Sequence, residues 1–148
     1  MKKIIFVVFV IFLVSSCTTV SEDNDTIKAK KLIDYNKMKF DSLPLSGKVV
    51  DGVREIEVKA FQFNWEPENI VVRKGEKLRF IVESIDVPHG FELEGISIPG
   101  HDTDELIAPG RKKIIEYTAE DSGAWDLVCS GYCGTGHGVM KGMFIVRE

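Results

Sequence analysis

Between residues 129 and 140 the chain reads C-S-G-Y-C-G-T-G-H-G-V-M, which gathers Cys129, Cys133, His137 and Met140 into one short loop. Gly131, Gly134, Gly136 and Gly138 lie between them, and apolar strand-like runs flank the loop on both sides. Such a segment constrains the fold strongly. Its glycines let backbone curl around a point without Cβ clashes, and the flanking strands must hold its two ends. Two thiols, an imidazole and a thioether are soft or borderline donors that suit copper. A second histidine, His89, lies forty residues upstream in D-V-P-H-G-F. It can join the loop only where strands bring both places to one end of a domain, so the site exists only in the folded chain.

The rest of the sequence supplies those strands. From about Val49 the texture is of short β-like runs separated by turn chemistry. Glu55 to Phe63 alternates through Ile56, Val58 and Ala60, Asn69 to Arg73 follows, and Lys74-Gly75-Glu76 makes a turn. Lys77 to Glu83 then sets Leu78, Phe80 and Val82 on one face. His89 to Glu94, Lys112 to Thr118, Ala124 to Cys129 and Met143 to Arg147 complete seven short strands. That pattern predicts an all-β fold, a Greek-key β-sandwich over residues 49–148. No glycine-rich phosphate loop, repeat or low-complexity tract interrupts it.

The N-terminus reads as targeting. Lys2-Lys3 precede an apolar run from Ile4 to Val14, then Ser15-Ser16-Cys17, the layout of a secretory signal. Eleven apolar residues rise roughly 17 Å as a helix, against roughly 30 Å of bilayer hydrocarbon. Val14-Ser15-Ser16-Cys17 resembles the lipobox of bacterial lipoproteins, which implies cleavage after residue 16 and acylation of Cys17. An ordinary signal with an incidental cysteine is the alternative. Acylation would hold the protein on a membrane from the extracytoplasmic side, periplasmic or outer, without a spanning segment. Residues 17–48 then form an acylated N-terminus and a spacer, helical over 26–40 or irregular, ahead of the domain.

Charge and cysteine count narrow the function classes. A formal net charge of −4 excludes an electrostatic nucleic-acid binder. Loss of Lys2 and Lys3 with the signal would take it to −6, which would steer a basic partner toward the protein. Three cysteines are too few for a disulfide scaffold.

The donor count is more specific. A mononuclear blue-copper site uses two histidines, one cysteine and a weak axial methionine. This chain has all of those and one thiolate more. The surplus is accounted for if both sulfurs bridge two copper ions, each with its own histidine, with Met140 and a loop carbonyl as weak axial ligands. Two other readings stay open. A Cys129–Cys133 disulfide is feasible in an oxidising compartment, though it leaves His89, His137 and Met140 without a role. Zinc could take two cysteines and two histidines, though the methionine and a secreted β-sandwich argue for copper.

The stretch resembles the dinuclear copper A domain of cytochrome c oxidase subunit II, whose pattern is C-x-x-x-C-x-x-x-H-x-x-M with an upstream histidine. The resemblance covers about Glu55 to Glu148, and nitrous oxide reductase carries a similar domain. A-F-Q-F-N-W-E-P-E-N-I and M-K-G-M-F-I-V-R-E most resemble subunit II of single-anchor oxidases of thermophilic type. It implies a cupredoxin-like fold and a mixed-valence pair of copper ions. His89 and His137 would be terminal imidazoles, Cys129 and Cys133 the bridges, Met140 the axial thioether, and the Gly131 carbonyl the other weak ligand. It also implies that Phe63 or Trp65 lies on the route by which electrons arrive.

Three departures from the family stand out. Its members usually keep one or two membrane helices, whereas this chain shows only a signal. Many place a magnesium-binding glutamate between the cysteines, where Gly131 has no side chain, so no magnesium is expected. The segment Ile96 to Ala108 is also a few residues longer than the family leads one to expect.

Nothing in the sequence suggests a nucleophile with a positioned base or an open coordination position for oxygen. The chain is therefore expected to carry electrons rather than to turn over a substrate itself. The resemblance implies a subunit of a haem-copper terminal oxidase that takes electrons from cytochrome c or a similar donor and passes them to subunit I. The alternatives are a free-standing lipid-anchored cupredoxin that carries electrons or holds copper, or the donor domain of a nitrous or nitric oxide reductase system. Trp125, Leu127, Val139 and Met143 are expected to keep water from the loop. Glu66, Glu68, Glu92, Glu94, Asp102, Asp104 and Glu105 form either an acidic docking rim or an ordinary solvated surface. His101 is expected to be a solvated loop histidine.

Overall fold

The computed structural model describes residues 40–148. Among them run nine strands: β1 (Lys48–Val50), β2 (Val53–Phe61), β3 (Asn64–Glu66), β4 (Asn69–Arg73), β5 (Lys77–Ser84), β6 (Glu92–Leu93), β7 (Lys112–Thr118), β8 (Gly123–Val128) and β9 (Lys141–Arg147). The expected signal, Cys17 with its expected acylation, and all but the last residue of the helix expected over 26–40 lie outside the described residues. No helix of the described residues is long and apolar enough to cross a membrane.

Period-2 alternation decides which faces are buried. β2 turns Arg54, Ile56, Val58 and Ala60 inward, and β5 turns Leu78, Phe80, Val82 and Ser84 inward beside them. These two strands pair in parallel, with Ile56 opposite Phe80. They form the centre of one sheet, ordered β1-β2-β5-β7, with β3 folded back onto β2. The second sheet runs β4-β9-β8-β6, with β4 and β9 parallel and the other pairs antiparallel. The two sheets face one another as a Greek-key sandwich.

The rings of Phe80 and Phe91 lie 5.3 Å apart, and those of Phe80 and Phe144 lie 6.0 Å apart. Trp65 meets Phe91 edge-on at 6.0 Å. Since Phe91 stands two residues after His89, this aromatic cluster also fixes the segment that carries the histidine.

Three strand expectations change. A hairpin joins β1 to β2 through Asp51-Gly52, both at positive φ (48° and 79°), the conformation such a two-residue turn demands. The first long strand ends at Phe61 rather than Phe63, because the chain reverses into β3. The strand expected over His89 to Glu94 shrinks to Glu92–Leu93. Pro88 has no N–H to give a ladder, and His89 makes a lone bridge with Ile107.

One ion pair ties the framework together. The buried Arg54 guanidinium donates to both carboxylate oxygens of Glu76 at 2.7 Å and to the Ser46 carbonyl at 2.8 Å. The Arg54 hydrogen bonds hold the Glu76 carboxyl below its ordinary value of 4.5 against the upward push of burial, with help from the Arg73 N–H. A carboxylate depressed in the folded state stabilises the fold above its unfolded pKa and loses that contribution as pH falls through the folded one. The urea midpoint of wild type should therefore fall as pH drops below about 4.5. Glu76→Gln should cost about 2 kcal/mol at pH 7 and flatten that acid dependence.

Candidate metal centre

The candidate donors sit at two strand ends and in the connections beside them. Cys129 directly follows β8, Met140 directly precedes β9, and β8 and β9 are paired from Gly123–Val146 to Val128–Lys141. Both ends of the loop are thus clamped by neighbouring strands. His137 opens a single 3-10 turn, His137–Val139, between Cys133 and Met140. His89 arrives from the β5–β6 connection and is fully buried.

The donors converge. One ring nitrogen of His89 and the sulfurs of Cys129 and Cys133 lie within 4.8 Å of one another. The Cys129 Sγ is 3.6 Å from His89 Nδ1, and the Cys133 Sγ is 3.7 Å from His137 Nδ1. Cys133 also lies 3.8 Å from the Met140 Sδ, and the Cys129 thiol donates to the Gly131 carbonyl at 3.1 Å. All six positions singled out from the sequence therefore fall in one cluster. Each cysteine has its own histidine neighbour, with the Gly131 carbonyl beside Cys129 and the Met140 sulfur beside Cys133. Both cysteines are free thiols here. Burial, reinforced by the neighbouring Cys129, pushes the Cys133 thiol up to about 11.

Three interactions around the donors escaped the sequence reading. His89 Nε2 meets Asp86 Oδ1 at 2.8 Å, an arrangement that leaves Nδ1 to face the sulfurs. The other Asp86 oxygen accepts the Gln62 N–H at 2.7 Å, and the Gln62 side-chain amide donates to the Cys133 carbonyl at 2.5 Å. Burial pushes the Asp86 carboxyl up, yet the hydrogen bonds from Gln62, His89 and Val87 together hold it below its ordinary range. The spacing D-x-x-H was a signal for Asp86. Nothing local in the sequence marked Gln62, which reaches the loop across 71 residues.

The aromatic pair separates. Phe63 lies against the loop, so close that a Cβ on Gly136 would stand 2.3 Å from its ring and one on Gly134 would stand 3.1 Å away. Trp65 is instead buried in the core on Phe91.

Of the four residues expected to shield the loop, Trp125 lines a groove that none of the clustered donors lines, Met143 is only partly buried, and Val139 points outward. Leu127 is buried, and Trp125 is partly buried on the ring of Phe144, but Val139 is 77% exposed because it sits on the outer side of the 3-10 turn. Tyr132 is likewise exposed, its ring 5.9 Å from that of His137.

His101 is not a free loop histidine. It is half-buried, with Nε2 2.7 Å from the Phe91 carbonyl and its ring edge-on to Phe91, and it stays outside the donor cluster. Of the acidic residues, Glu66 pairs with Lys59 and Glu105 with Lys113, while Glu92 is half-buried.

The open grooves lie elsewhere. One of about 510 Å³ is lined by Val53, Leu78, Tyr117 and Trp125, and another of about 650 Å³ by Leu43, Pro44 and Ile56. Neither of these two grooves is lined by any of the clustered donors.

Comparison with known proteins agrees in sequence and in fold. The family model "Cytochrome C oxidase subunit II, periplasmic domain" matches residues 22–147. Cytochrome c oxidase subunit 2 of Thermus thermophilus is 36% identical over 93 residues, which is 63% of this chain and 65% of that relative. The match thus spans a little under two thirds of the relative's length. The periplasmic domain of subunit II of cytochrome oxidase from Bradyrhizobium japonicum has a similar fold, with a TM-score of 0.55 at 21% identity over 68% of this chain and 88% of that one. A chain of a haem-copper terminal oxidase dimer is similar with a TM-score of 0.54 at 21% identity, over 82% and 90% of the two chains.

Proposed function

The chain belongs to the family of cytochrome c oxidase subunit II periplasmic domains, and from that premise we propose that it receives electrons for a haem-copper terminal oxidase through two copper ions held by the loop. The observation that carries this reading is the meeting of the His89 nitrogen with both cysteine sulfurs within 4.8 Å. The donor chemistry fits copper: two buried thiols, two imidazoles, a thioether and a carbonyl, and no oxygen cage of the kind magnesium or calcium needs.

In this assignment Cys129 and Cys133 would hold the copper ions through their thiolates, His89 and His137 through their imidazoles, and Met140 and the Gly131 carbonyl as the weaker donors. Bound there, copper would supply one-electron chemistry.

The protein's own residues do the rest. Strands β8 and β9 hold the loop ends so that the donors need not rearrange. Leu127, Phe91 and Phe144 keep the inner side dry. Asp86 fixes the tautomer and angle of His89, as outer hydrogen-bond partners of metal-bound histidines do. Asp86→Ala should therefore weaken copper retention about 10- to 100-fold while leaving the fold intact, measured by competition with a copper chelator.

Electrons would come in over the outer side of the loop. Phe63, packed on Gly134 and Gly136, is better placed for that than the buried Trp65. The donor would be a cytochrome c or similar carrier, and the acidic side chains near the loop suit a partner with a basic face. The acceptor would be the haem of subunit I. We assign the protein to the extracytoplasmic side of the membrane, tethered by lipid on Cys17 after cleavage of residues 1–16, with residues 17–48 as spacer and 49–148 as the copper domain.

Purification of the native protein from its own membrane tests the reading. Recovery together with a haem-bearing subunit is the expected result. Recovery with copper but without haem would instead favour a free-standing carrier.

A further inference from the structure

We propose that the segment from Ile96 to Ala108 is a strap across the candidate metal centre, with Leu106 the side chain that keeps solvent from the Gly131 carbonyl and the Cys129 thiol. Its functional meaning rests on the copper reading above, while its geometry stands apart from it.

The strap is pinned to both halves of the site. On the histidine side, the Ile107 N–H donates to the His89 carbonyl at 2.8 Å and the His89 N–H returns to the Ile107 carbonyl at 3.2 Å. His101 Nε2 holds the Phe91 carbonyl at 2.7 Å. On the cysteine side, the Ser130 hydroxyl donates to the Thr103 carbonyl at 2.5 Å. Lys113 on β7 fixes the middle of the strap, at 3.3 Å from the Asp102 carbonyl and 2.8 Å from a Glu105 carboxylate oxygen. The buried Ile98 and Ile107 root its two arms in the core. Two pieces of chain forty residues apart, His89 and the Cys129 loop, are thus joined by a third.

Leu106 lies where the strap crosses the loop. A Cβ built on Gly131 would stand 2.2 Å from Leu106 Cδ2 and 3.0 Å from Cδ1, so this leucine fills the space that a side chain at 131 would need. The carbonyl of this same glycine accepts the Cys129 thiol proton. Yet Leu106 is 41% exposed and follows the charged run Asp102, Asp104 and Glu105. An apolar side chain half in water adds little to a core. Pressed on a glycine beside a buried thiol, it excludes water from that point. The dry shell around a metal site governs solvent access and redox behaviour, which gives the leucine a purpose.

The test uses the full chain, metal-free and reduced, alkylated by iodoacetamide under native conditions with each cysteine followed by peptide mapping. Leu106→Ala should raise the rate at Cys129 severalfold and leave Cys133, which faces His137 and Met140, close to wild type. Leu106→Met should restore shielding. Equal acceleration of both cysteines would mean general loosening and would overturn the proposal, as would no change at Cys129. A second arm loads copper and exchanges into heavy water. Deuterium coupling to copper should appear in Leu106→Ala and be weaker in wild type, and equal coupling in the two would count against the strap. If wild type takes up no copper, the functional reading fails, and the ratio of alkylation rates still decides the role of Leu106.

Discussion

Cys133→Ser should leave a folded chain that never gives the spin-resonance pattern of two equivalent copper nuclei. Cys133 is the shared point of the cluster: it meets His137, Met140 and, through the common contact distance, His89 and Cys129. A serine oxygen is a hard donor and a poor bridge for copper, so at most one metal should remain, held by Cys129 and His89. The fold should survive, because β8 and β9 pair through their own backbone and the substitution is close to isosteric. Circular dichroism unchanged from wild type, with the paired-copper signal lost, is the expected combination. Met140→Leu makes the contrasting case: copper stays bound and the potential moves, because an axial thioether tunes the metal rather than holding it.

Phe80→Ala should produce the largest loss of stability among single core changes, about 3–5 kcal/mol. Phe80 is fully buried at the centre of the sandwich, on β5 of the first sheet, and its ring meets Phe144 on β9 of the second sheet and Phe91 just ahead of β6. Removing it opens a void that the paired strands cannot collapse into. Since a domain of this size is held by only about 5–15 kcal/mol in total, a substantial share of the molecules should unfold well below the wild-type midpoint. Thermal unfolding followed by tryptophan fluorescence measures this. Because Phe91 stands two residues after His89, copper retention should weaken with the fold.

How much of this was legible in the sequence depends on how local each signal is. β4, β5 and β7 read well because their burial alternates or is continuous over five to eight residues. The loop read well because four of its donors lie within twelve residues and the fifth side chain, His89, announces itself beside a glycine. β1 and its Asp51-Gly52 turn carried a strong local signal that the apolar pattern overshadowed. β3 did not: Asn64-Trp65-Glu66 has one apolar residue, and only pairing with Lys59 to Phe61 makes it a strand. The same holds for the surroundings of the site. Gln62, Ser130, Leu106 and His101 act through contacts with residues distant in sequence, and no period or motif encodes such contacts. Val139 shows the opposite error. Its apolar character suggested shielding, but the 3-10 turn that places His137 and Met140 inward must place Val139 outward.

The most direct test of the central claim is the copper count of the reduced, reconstituted full chain, taken with its spin-resonance spectrum after one-electron oxidation. Two coppers per chain and a hyperfine pattern from one electron shared equally by both nuclei are expected. One copper per chain with the spectrum of a mononuclear blue site would contradict the claim.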